Sequence, residues 1–211
     1  MTLFEFWVLR HDMILRLFIE HMRILFYALF FAILIGMPIG ILTALFKRVS
    51  YPVMMFINAM QAIPSLAILG FLIPIVGVNE RTAIILVVVY AILPVVKNTY
   101  AGISQVAPQY IEAAKGMGMT QTQMLLNVQL PLALPVIMTG IRISAVAGVG
   151  LVTIAAYAGG RGLGFMVFSG INTLDMNMIL SGAIPAAILA LIMDFCVGRL
   201  EKIMTGWQVK K

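Results

Sequence analysis

The sequence predicts an all-α membrane protein of about five transmembrane helices, and three observations carry that prediction. Hydrophobic residues make up 62% of the 211-residue chain and charged residues only 10%, which is the composition of the membrane class. Apolar stretches of about twenty residues recur along the chain, each long enough to cross a bilayer as a helix. One stretch, 98–131, interrupts them with Asn98, Ser104, Gln105, Gln109, Glu112, Lys115, Thr120, Gln121, Gln123, Asn127 and Gln129. Side chains and loop backbone of that polarity cannot give up water, so this stretch faces an aqueous compartment.

Residues 1–23 read as an interfacial amphipathic helix rather than a cleavable signal. Glu5, Asp12, Arg16, Glu20 and Arg23 share one helical face, and Phe4, Trp7, Leu15, Phe18 and Met22 occupy the rest. His11 and His21 lie here, and their spacing suits surface residues better than metal ligands.

Residues 24–46 form the first span, with a kink expected at Gly36, Pro38 and Gly40; Lys47 and Arg48 end it. Residues 53–76 form the second. There Asn58, Gln61 and Ser65 at i, i+3 and i+7 make one polar stripe, and Pro64 and Pro74 break the regularity. The third, 82–96 or as far as Tyr100, is short. The fourth is 132–157, where Gly140, Ser144 and Gly148 make a small-residue face for close helix packing. Arg142, near its loop end, is expected to snorkel or to bond the loop.

The glycine-rich 158–164 lacks the Lys-Ser/Thr ending of a phosphate loop and reads as a flexible turn. A short, partly embedded helix follows over 165–176, then the fifth span over 178–197. Asp194 is expected to pair with Arg199 or another end-facing group, and Cys196 to pack inside the apolar run. Residues 200–211 form a polar tail.

Within the polar stretch the local rules give a helix, a turn and a second helix. Pro108 suits a helix start, Glu112 to Lys115 are good helix formers, and Gly116 and Gly118 suit the end. Thr120 and Gln123 stand in capping-box relation, and Pro131 fits a bend into the next span.

The +6 net charge fits basic flanks at an anionic membrane surface. With five spans and the amino terminus outside, Lys47, Arg48, Lys97, Lys115 and the tail cations Arg199, Lys202, Lys210 and Lys211 face the cytoplasm. Arg23, beside the first span, argues the other way. No basic cluster with interleaved aromatics suggests nucleic acid, and the single cysteine excludes a disulfide framework. Nothing suggests a metal site, a catalytic set of paired acids, or a P-loop.

Glu112-Ala113-Ala114, three residues, Gly118, nine residues and then Val128-Gln129-Leu130-Pro131 resembles the EAA loop of ABC importer permeases. The family usually carries Ile where this chain has Val128. The likeness extends to Gln61-Ala62-Ile63-Pro64-Ser65, Leu93-Pro94-Val95-Val96-Lys97-Asn98, Leu130-Pro131-Leu132-Ala133-Leu134-Pro135 and Gly182-Ala183-Ile184-Pro185. Those segments are similar to the membrane subunits of glycine betaine/carnitine/choline importers, over roughly residues 20–199.

The resemblance implies a type I ABC importer permease fold in a bacterial inner membrane. Residues 24–199 would be its transmembrane domain, and 98–131 a cytoplasmic coupling loop docking on an ATPase. It implies two ATPase subunits that bind ATP and Mg, a second permease that is identical or homologous, and an external substrate-binding protein. The chain lacks the carboxy-terminal binding domain of fused relatives, so that protein would be separate. Glu112, Ala113, Ala114 and Gly118 would contact the ATPase, small residues permitting close approach.

For the solute path the candidates are Asn58, Gln61 and Ser65, then Tyr90, Thr153 and Tyr157, where a quaternary ammonium would meet aromatic faces and weak polar contacts. The same groups also suit interhelical hydrogen bonding. Alternatives are a permease for another amine or zwitterion, and a secondary transporter that needs no ATPase.

Overall fold

The computed structural model describes residues 2–206; of the tail cations, Lys210 and Lys211 lie outside the described residues. Those described are helical with short connections. The first helix, α1 (Leu3–Leu45), opens with a capping box: Thr2 Oγ1 accepts from Glu5 N, and the Glu5 carboxylate accepts from Thr2 N. Its 43 residues extend about 64 Å at 1.5 Å per residue, roughly twice the hydrocarbon thickness.

The amphipathic segment expected over 1–23 is therefore the first part of the same helix as the first span. Its one dihedral break is at Arg10 (φ −113°, ψ 16°), not at Pro38. Gly36 and Gly40 instead bring the next span close: a Cβ on Gly40 would lie 2.5 Å from Thr99 Cβ, and one on Gly36 3.0 Å from Val95 Cγ1. The early part of α1 packs on the bundle through Phe6, Leu17 and His21. His21, expected at the surface, is fully buried beneath Gly162, while His11 is exposed.

The second span is broken. Helices α2 (Lys47–Ala62) and α3 (Ser65–Val76) meet at 94°, because Ile63 and Pro64 are extended and Pro64 has no N–H to carry the helix on. The pair nevertheless crosses the bundle. α4 (Glu80–Ser104) lies parallel to α1: Arg23 bonds Glu80 at 2.6 Å, Gly36 faces Val95 and Gly40 faces Thr99. The end of α1 and the start of α4 are thus at opposite ends, and α2 with α3 must join them.

α4 runs further than expected, to Ser104. Polar residues such as Asn98 do not end a helix, and no glycine or proline acts as a stop there before Pro108. The elbow described below leads into α7 (Leu130–Ala155), antiparallel to α4. Gly140 sits on Pro94 and Asn98, and Ser144 Oγ donates to the Ala91 carbonyl at 2.7 Å. The expected small-residue face is this contact.

The turn after α7 is tightly packed rather than loose. Gly159 takes φ +76° against Val78, and a Cβ on Gly160 would lie 2.7 Å from Ala83. Then come α8 (Leu163–Thr173) and α9 (Met176–Thr205). α9 lies parallel to α1, with Trp7 Nε1 donating to Ser181 Oγ at 2.8 Å and Leu29 packed in one cluster with Met193.

The core collects Ile24, Leu25, Leu86, Val87, Val149, Leu163, Met166 and Leu189 from α1, α4, α7, α8 and α9. Outside it, Phe26, Phe30, Phe71, Ile75, Leu191 and Phe195 are exposed, an apolar exterior suited to lipid or to neighbouring helices. Cys196 is on that exterior, not packed inside.

Candidate functional site

Two regions hold the candidate residues: the elbow between α4 and α7, and the break in the second span. The elbow begins with α5 (Pro108–Gly116), whose first residue is the proline whose missing N–H costs nothing there. Its end is closed by Met117 N on the Ala113 carbonyl, Gly118 N on Lys115 and Met119 N on Ala114. That closure needs Gly118 at φ +76°, which a glycine adopts without strain.

α6 (Gln121–Met124) starts with the expected capping box: Thr120 N donates to Gln123 Oε1 at 2.8 Å, and Thr120 Oγ1 accepts from Gln123 N. A π turn, Leu125–Gln129, carries the chain into α7 with Pro131 in its first turn, so the irregularity expected at the proline falls just before it.

Ala114 and Met124 are buried in the elbow, whereas Glu112, Ala113 and Gly118 are exposed. Of the small residues expected to admit a partner, Ala114 therefore serves the packing of its own chain. Glu112 has no ion-pair partner among the described residues. Around it Tyr110 (44%), Met117 (68%) and Leu126 (56%) leave large apolar side chains open on an element whose polarity demands water. Exposed apolar side chains on so polar an element are the composition that suits a protein contact.

At the break the expected stripe does not survive as a stripe. Asn58 and Gln61 lie on α2 and Ser65 on α3, across the 94° bend. What converges instead comes from α4. The Tyr90 hydroxyl donates to the Ile63 carbonyl, a group the broken helix leaves without an intrahelical partner, and Lys97 Nζ donates to Gln61 Oε1 at 3.0 Å. Thr153 and Tyr157 are elsewhere. Thr153 Oγ1 donates to Val149 O in its own helix, and the Tyr157 ring meets Phe168 edge-on at 5.0 Å. Beside the break an apolar groove of about 590 Å³, lined by Ile39, Phe56, Ile57, Met60 and Ile92 among others, offers nothing to a polar solute.

Sequence reasoning missed Lys97 as part of this cluster. Its separation of seven residues from Tyr90, almost two helical turns, was the available signal. It also missed the tie between α7 and α9. Arg142 grips Asp194 through Nε and Nη2, each 2.6 Å from a carboxylate oxygen, with Glu201 3.9 Å from Nη1. Of the partners expected for Asp194, Arg199 or another end-facing group, Arg199 stacks instead over Phe195.

Residues 36–206 match the family described as binding-protein-dependent transport system inner membrane component. The carnitine transport permease protein OpuCB of Listeria monocytogenes is 41% identical over 192 residues, covering 91% of this chain and 88% of that protein. The glycine betaine/carnitine/choline transport system permease protein OpuCB of Bacillus subtilis is 39% identical, covering 88% of this chain and 86% of that one. The choline transport system permease protein OpuBB of Bacillus subtilis has the same identity, 39%, over the same 88% and 86%. In fold, the chain is similar to the MetNI methionine ABC transporter in an inward-facing conformation, with TM-score 0.85 at 22% identity over 93% of this chain and 98% of that one.

Proposed function

The chain belongs to the inner-membrane components of binding-protein-dependent transport systems, and from that premise we propose that it forms half the membrane passage of an ATP-driven importer of a trimethylammonium osmolyte: glycine betaine, carnitine or choline. The relatives named for these solutes support the substrate class. The observation that carries the mechanism is the exposed elbow, a capped, rigid helix that presents Glu112 and Ala113 beside Tyr110, Met117 and Leu126.

ATP and Mg belong to the partner ATPases, a second permease completes the passage, and a separate binding protein delivers the solute. The elbow lies at the same end as the carboxy-terminal ends of α1 and α9. That end carries Lys47, Arg48, Lys97, Lys115, Arg142, Arg199 and Lys202, against Arg10, Arg16, Arg23, Arg81 and Arg161 at or near the other. The excess of basic residues favours a cytoplasmic elbow, with the amino terminus outside and the carboxy terminus inside.

Force has a continuous route. α5 joins α7 through the Thr120 cap and the π turn; α7 touches α4 along its small-residue face and holds α9 through Arg142. α4 in turn holds the break through Tyr90. An ATPase that binds the elbow differently in its two states thereby biases the break.

The test is ATP-dependent uptake of labelled glycine betaine, carnitine and choline into vesicles holding the full assembly. Glu112→Arg is expected to lower uptake by about tenfold or more while the chain still inserts. Unchanged uptake in that variant would reject the elbow's role.

A further inference from the structure

We infer that Lys97 receives the carboxylate of a zwitterionic osmolyte at the break in the second span, and that it sets a preference for carboxylate-bearing trimethylammonium solutes over choline. The inference rests on the osmolyte reading above and names the residue that sorts within that class.

The first observation is where the Lys97 charge points. A lysine near a helix end ordinarily extends its ammonium toward water. Half-buried Lys97 instead reaches Gln61, in the last turn of α2 and far along it from Lys47, where that helix begins.

The second is what it meets there. Arg142 has Asp194, Arg23 has Glu80 and Arg161 has Glu20 at 4.0 Å, whereas Lys97 donates only to a neutral amide among the described residues. An ammonium has three donors, so Gln61 leaves two unused and the charge without a counter-ion. A cation turned along the spans, away from the elbow end, is costly unless paired or functional. An anion that arrives and leaves would supply the missing half.

The third is what lies around it. Tyr90 is on the same face of α4, and its hydroxyl holds the Ile63 carbonyl at the break. Asn58 is one turn before Gln61 on α2 and is exposed. A trimethylammonium group neither donates nor accepts ordinary hydrogen bonds and settles against aromatic faces and carbonyl oxygens; the Tyr90 side chain and the Ile63 carbonyl stand at the break. Glycine betaine and carnitine carry a carboxylate for Lys97 in addition. Choline carries a hydroxyl in its place, so Lys97 gives it no ion pair.

The experiment compares wild type, Lys97→Met and Lys97→Arg in vesicles with the ATPase and the binding protein, the latter saturated in turn with glycine betaine, carnitine and choline. Lys97→Met is expected to lower glycine betaine and carnitine uptake at least about tenfold, to leave choline uptake within about twofold, and Lys97→Arg to retain carboxylate uptake. An equal fall for all three solutes would make Lys97 a structural latch on Gln61 and overturn the proposal, as would no change. Wild-type uptake of choline alone would overturn it while leaving the importer reading intact. Wild-type uptake of none of the three would remove the osmolyte reading and this proposal together.

Discussion

Arg142 and Asp194, 52 positions apart in the chain, form a two-point ion pair that fastens α7 to α9, both bonds at 2.6 Å. Planar guanidinium and carboxylate groups make such a pair directional, so it fixes the rotation of the two helices as well as their distance.

Removing one member leaves the other, partly exposed between α7 and α9, without its counter-ion. Asp194→Ala is therefore expected to lower the melting temperature of the detergent-solubilised assembly more than Arg142→Ala with Asp194→Ala together, and the exchange of the two residues to recover part of the loss. Melting followed by size-exclusion chromatography checks this. Single variants that melt as the wild type does would show that the pair ties nothing.

Gly118 has open space around its Cα but a φ of +76°. Substitution there is governed by backbone strain and not by crowding. Gly118→Val is expected to destabilise the turn by about 1–2 kcal/mol, whereas Gly118→Asn, which tolerates the left-handed region, costs less. Amide hydrogen exchange over 108–124 separates the two variants; similar exchange in both would mean the turn is not held in this conformation.

Tyr90 supplies the hydrogen bond that the broken second span cannot make for itself at Ile63. Tyr90→Phe keeps the ring and removes only the hydroxyl, at an expected cost of about 1 kcal/mol. The same variant is expected to increase hydrogen exchange over 60–68 with little change elsewhere. Unaltered exchange there would show that water caps the carbonyl just as well.

Local rules made the elbow legible from sequence. Pro108, the Thr120–Gln123 box and Gly118 each depend on neighbours within a few residues, and each does in the structure what its chemistry dictates. The small-residue face of α7 was legible for the same reason. Features that depend on distant partners were not. Pro64 announced a break but not its angle, and nothing near Asp194 pointed to Arg142. Cys196 was placed inside because apolar runs usually are, yet in a membrane an apolar residue gains nothing by leaving lipid for the bundle. His21 was placed outside because two histidines ten residues apart are more often surface residues than metal ligands. Burial followed from Gly162, whose missing side chain lets the turn before α8 close over it.

The most direct test of the central claim, that the elbow is gripped by a separate ATPase, is cross-linking from Ala113→Cys in a Cys196→Ala background, with the assembly in native membranes. Ala113 is exposed on α5 beside Glu112, and Cys196 is the one native thiol to remove. The expected result is a single permease–ATPase product whose yield changes with ATP. Absence of that product, together with labelling of the new thiol by an impermeant reagent from the outer surface, would contradict the claim.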